Sequence, residues 1–171
     1  QACFDVTMGI TFRCRAGVVT APAAHGRMNI GLFTLTGGIA AAQLADWNAT
    51  TAGVKRVGIE VDTVATDLAI YADWDNNSSP SSVDTSVLWS VAGRYDEFAI
   101  VARVGGVCEL WHKKYTAAWA QLLSTTPILL GTTTANATGT FQAVFMLEKD
   151  GVLADVPQIA IDHLRIAGGH A

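Results

Sequence analysis

Apolar and polar residues alternate with a period of two along most of this 171-residue chain, and the pattern is clearest from Phe98 to Trp111. Phe98, Ile100, Ala102 and Val104 share one face there, against Ala99, Val101 and Arg103 on the other. Beyond Gly105-Gly106, Val107, Glu109 and Trp111 alternate with Cys108, Leu110 and His112. Two such runs around a Gly-Gly pair predict a β-hairpin with a two-residue turn, because both central residues of a type I′ loop need positive φ. Both runs are mostly apolar, so the hairpin is expected in the middle of a sheet with one face fully buried.

The same period recurs elsewhere. Phe4–Arg15, Met28–Leu35, Lys55–Asp62, Leu68–Trp74, Ser86–Val91, Phe141–Glu148 and Gln158–Ala167 all read as strands. In the last of these, Ile159, Ile161, His163 and Arg165 fall opposite Ala160, Asp162, Leu164 and Ile166. Ile39–Trp47 is the one plausible short helix. Ala16–Arg27, Asp75–Asp84 and Thr132–Thr140 concentrate Gly, Pro, Asn, Ser or Thr and read as loops. Pro157 fits the position just before a strand. About nine or ten strands with turns between them predict an all-β fold, an antiparallel β-sandwich or jelly roll. No linker divides the chain, so residues 1–171 are expected to form one domain.

Composition narrows the function classes. Half of the residues are apolar and 15% are charged, against about 25% in an ordinary soluble domain, which suggests a surface partly covered in a homo-oligomer or larger assembly. The formal charge is −4 and no basic cluster exceeds Lys113-Lys114, so nucleic acid is not an expected partner. No apolar run reaches the roughly 18 residues of a membrane span. The chain opens on Gln1, which implies processing or excision from something longer. Cys3, Cys14 and Cys108 are odd in number and lie in apolar contexts, as small buried hydrophobes do.

Several groupings bear on chemistry. Glu60 and Asp62 share one strand face and resemble part of the E-x-D-x-(x)-E strand of sandwich-fold glycoside hydrolases. The third carboxylate is missing, with Val64 and Ala65 where it should fall. Asp73, Asp75 and Asn77 follow the start of an oxygen-ligand calcium loop, with Asp84 at its twelfth position, although Ser78 replaces the expected glycine. Trp74, between Asp73 and Asp75, is the best candidate for a glycan-stacking ring, and Trp47, beside Asp46 and Asn48, is next. Trp89 and Trp111 lie in strands and read as core. Asn48, Asn76, Asn77 and Asn136 begin N-glycosylation acceptor triplets in predicted loops. His25, His112, His163 and His170 show no metal-ligand spacing, and none has a nucleophile beside it.

The strand order is similar to that of concanavalin A-like, lectin-like jelly rolls. The likeness is carried by the Arg27–Phe33 strand, the Phe98–Trp111 hairpin and the Ile159–Ile166 strand, and it extends to bacteriophage structural and tail proteins. The resemblance implies a non-enzymatic virion structural protein, a capsid decoration or a tail or fibre component. Such a protein would be extracellular or in the virion, would contact other virion proteins, and would form a homo-oligomer such as a trimer. The alternative is a carbohydrate-binding module for a surface glycan, using Trp74, Trp47, Asp73, Asp75 and Asn77. Calcium at Asp73, Asp75, Asn77 and Asp84 is then the only cofactor in view.

Overall fold

A computed structural model describes residues 9–20, 26–34, 55–62, 68–76, 80–91, 93–124, 128–129, 141–149 and 158–168. The described residues form strands β1 (Ile10–Thr20), β2 (Gly26–Thr34), β3 (Lys55–Asp62), β4 (Ala69–Asn76), β5 (Pro80–Leu88), β6 (Asp96–Ala102), β7 (Val107–Lys113), β8 (Ala120–Gln121), β9 (Ile128–Leu129), β10 (Phe141–Lys149) and β11 (Gln158–Gly168). They build two antiparallel sheets. One runs β11-β1-β6-β7-β8, with β9 also paired to β7, and the other runs β10-β2-β3-β4-β5. The expected all-β sandwich of jelly-roll type is what the chain forms. The expected helix at Ile39–Trp47 and the loop at Thr132–Thr140 lie outside the described residues.

Alternation builds the core. Phe12, Cys14, Phe98, Ile100 and Leu110 from the first sheet, and Met28, Ile30, Leu32, Val57, Ile59 and Ile70 from the second, form one buried cluster. Phe12 reaches across the sandwich to Phe145, with ring centroids 6.1 Å apart. Trp89 is core, as expected, at 1% exposure. Cys14 and Cys108 are free and buried, and burial pushes both thiols up to about 12, which leaves them unreactive.

The central hairpin forms at the expected place with a different turn. Arg103 N donates to Val107 O and Gly106 N donates to Arg103 O, so the loop holds Val104, Gly105 and Gly106 rather than two residues. Gly105 (φ 94°) has the positive angle that a type II turn demands at its third position, and Gly106 (φ 83°) continues the left-handed path into β7.

Two expected loops are strand wherever their residues are described. β1 continues through Ala16–Thr20, and Gly17 is needed there because a Cβ would stand 2.5 Å from the backbone oxygen of Arg94. β4 runs to Asn76 and β5 begins at Pro80, so most of Asp75–Asp84 pairs across a ladder. Pro80 and the serines are tolerated because β5 ends its sheet. A bulge there leaves Thr85 and Ser86 out of register. Ser86 takes φ 56°, and its N–H donates to Asp84 Oδ1 at 2.8 Å.

Candidate active site

The outer face of the β11-β1-β6-β7-β8 sheet gathers a set of ionisable side chains. Odd-numbered residues of β1 point away from the core, so Arg13 and Arg15 emerge side by side. Register then sets two rows across the sheet. One runs His163, Arg15, Glu97, Lys113, and the next runs Arg165, Arg13, Ala99, Trp111.

Strict alternation along β11 would put His163 with Ile159 and Ile161. A register shift between Arg15 and Ala16 breaks that pattern, pairing His163 with Arg15 but Ile161 with Ala16. Asp162 is the extra residue of this bulge, so Asp162 and His163 both line the cleft.

Around the first row lies an open cleft of about 380 Å³. Arg13, Arg15, Lys113 and Lys114 face Glu97 and Asp162 there, an excess of two positive charges with imidazole neutral. Tyr95, Tyr115 and His163 complete its lining. Glu97 is the centre of the row. Its carboxylate accepts from Arg13 through both Nε (2.9 Å) and Nη2, and from Lys113 Nζ at 2.8 Å. Partial burial pushes the Glu97 carboxyl up, but the bonds from Lys113 and Arg13 outweigh it and hold the group below the usual carboxylate range. Arg15 Nη1 donates to Asp162 at 2.8 Å, and its guanidinium lies 5.2 Å from the Tyr95 ring. Among the described residues Lys114 has no ion pair.

A buried anchor fixes the loop that brings Tyr115 to this cleft. Asp96, fully buried, accepts from Tyr115 N and Ser90 N, both at 2.8 Å, and meets His112 Nε2 at 2.9 Å. Burial raises the Asp96 carboxyl, yet the His112 and Ser90 hydrogen bonds together hold it below its ordinary value. An ionised carboxylate only accepts, so Nε2 of His112 carries the proton between them. Trp89 stacks on the His112 ring at 5.2 Å and ties the anchor to the core.

The residues singled out from sequence lie elsewhere. Asp73 and Asp75 are fully buried on one face of β4, and Trp74 packs against the hydrophobic core from the other. The ring and its supposed acceptors therefore point to opposite sides of one strand. Asp84, on β5, pairs with Tyr71 of β4, while Trp47 and Asn77 lie outside the described residues. Among the described residues no group of three or more His, Cys, Asp or Glu could hold a metal. Glu60 is buried and sits 3.6 Å from Arg27. Trp111, expected in the core, instead stands half-buried on the outer face. The cleft is not visible in the sequence because Arg13 and Arg15 lie far along the chain from the Lys113-Lys114 pair, and only the pairing of β1, β6 and β7 brings them together. Only the shared face of Arg13 and Arg15 hinted at it.

No family model matches the chain, and neither does any curated protein. Solved structures do. An alginate lyase from Pseudomonas aeruginosa superposes with a TM-score of 0.54 at 12% identity, over 98% of this chain and 68% of that one. A two-cysteine variant of alginate lyase A1-II′ gives 0.50 at 10% identity, over 98% and 65%. At such identities the likeness is one of fold, and it agrees with the jelly roll. It also corrects the expected non-enzymatic virion component. That expectation rested on low charge, high apolar and small-residue content, missing chemistry and the jelly-roll resemblance, whereas the fold is shared with enzymes and the outer face holds a cleft rich in ionisable groups.

Proposed function

We propose that this chain binds an acidic polysaccharide across the outer face of its β11-β1-β6-β7-β8 sheet and cleaves it by elimination beside a uronate carboxylate. The observation that carries this reading is the gathering of Arg13, Arg15, Lys113 and Lys114 with Tyr95, Tyr115 and His163 in one open cleft. The fold shared with alginate lyases supports it.

Elimination makes three demands. A cation must neutralise the sugar carboxylate, so that the proton on the adjacent carbon becomes acidic. A base must take that proton as the electron pair forms the new carbon–carbon double bond. The glycosidic oxygen then leaves with the electrons of the broken bond and must receive a proton. Arg15 and Lys114 supply the charge, and Tyr95, Tyr115 and His163 are the proton-transfer candidates lining the same space. No oxidant and no water enter the balance.

A second reading is a binding module without cleavage. It is favoured by the carboxylates that already partner Arg13, Lys113 and Arg15, because polymer would then bind by exchanging counter-ions. Incubation with alginate and other polyuronates decides between the two. The expected result is rising ultraviolet absorbance from unsaturated uronate ends, abolished in Arg15→Ala. Binding without any such rise would leave the module, and no binding to any polyuronate would overturn both readings.

A further inference from the structure

Beside the basic cleft is a second recess of about 210 Å³, lined by Arg13, Ala99, Val101, Trp111 and Trp119. Its origin is local. In the row Arg13–Ala99–Trp111, the small alanine of β6 stands between two long side chains, so the sheet surface drops there. Trp119, on the loop before β8, closes one side, with the Arg13 guanidinium 5.0 Å from its ring. Trp111 is held in place by Nε1 donating to Glu109 Oε2 at 3.1 Å, and Arg103 Nε grips Glu109 Oε1 at 2.6 Å. The two recesses share Arg13 and form one continuous surface, charged at one end and aromatic at the other.

We propose that the Trp111–Trp119 recess is a sugar-stacking subsite for the ring that follows the uronate held in the basic cleft. This rests on the reading of that cleft as a polyuronate site and adds what the ligand must be. It is a chain of at least two residues, an anionic sugar adjoining one that presents its apolar face, rather than a free acidic monosaccharide. Charge at Arg15 and Lys114 orients the first ring. Indole area in the neighbouring recess removes the apolar face of the second from water. Arg13 belongs to both recesses and sets their registration, since its guanidinium is held by Glu97 on one side and by the Trp119 ring on the other.

The test is calorimetric titration of defined oligouronates, from monomer to hexamer, into the wild type, Trp119→Ala, Trp111→Ala and Trp119→Phe. The wild type should gain at least about tenfold in affinity between monomer and dimer. Both alanine variants should lose that gain while binding monomer equally, and Trp119→Phe should restore most of it. A length gain that survives both alanine variants overturns the subsite and leaves the polyuronate reading intact. Equal losses for monomer and oligomer would also overturn it, because they would trace to a displaced Arg13. Failure of every oligomer to bind the wild type would remove the polyuronate reading and the subsite together.

Discussion

Asp96 shows how one buried carboxylate can position a surface site. Its two oxygens take three hydrogen bonds, from Ser90 N, Tyr115 N and the His112 ring, while the residue is wholly removed from water. A charge in that position is tolerated only because every lone pair that matters is occupied. Its carboxyl titrates below the ordinary range in the fold. The ionised form therefore stabilises the protein at any pH above about 4, the ordinary carboxyl value, and that contribution is withdrawn as pH falls through the folded value. Asp96→Asn keeps the shape and removes the charge. It should lower unfolding free energy in urea at pH 7 by about 3 kcal/mol. It should also flatten the loss of stability as pH falls below the ordinary carboxyl value of about 4. A variant that unfolds in acid along the wild-type curve would show that other carboxylates set the acid limit.

At the scale of the element, alternation was enough to find most strands and the core face of each. β3 is bounded as its pattern predicts, and the β6–β7 hairpin lies inside its sheet with Phe98, Ile100 and Leu110 buried. What alternation could not reveal lies where it is interrupted or overridden. The bulge in β11 moves His163 to the face opposite Ile159 and Ile161, and nothing in QIAIDHLRIA marks Asp162 as the extra residue. β5 is built from Pro, Ser and Asp, which favour turns in isolation, and it becomes a strand by pairing with β4. Gly17 falls in an expected loop and Gly58 in an expected strand. Both are close-contact positions, and a Cβ on Gly58 would stand 2.3 Å from the backbone oxygen of Ile30. Gly58→Ala must force β2 and β3 apart in the middle of their sheet. It should cost about 2 kcal/mol or more, read as a lower denaturation midpoint at unchanged m. Gly93→Ala, where a Cβ meets nothing within 4 Å but φ is 80°, separates crowding from backbone strain and should cost about 1 kcal/mol.

For the molecule as a whole, net charge and local charge point in opposite directions. The chain carries −4 overall, yet its cleft holds an excess of cations, because strands distant in sequence bring Arg13, Arg15 and Lys113 onto one face. A polyanion approaching this protein is repelled at long range and attracted only near the cleft, within a Debye length of about 8 Å at physiological salt. Glu97 then controls how much of that attraction is available, since it holds both Arg13 and Lys113. Any ligand carboxylate that takes those cations must displace it. Glu97→Gln removes the competitor and frees both cations. The lost ion pairs involve cation side chains 43% and 34% exposed, so the fold should lose less than about 1 kcal/mol. Affinity for a polyuronate should rise by about tenfold at low salt, and the slope of affinity against salt should steepen as more counter-ions are released on binding. Weaker binding in Glu97→Gln would give Glu97 a different role, holding Arg13 and Lys113 in the geometry the ligand needs. Equilibrium binding of wild type and variant across a salt series distinguishes the two roles by the sign of the change.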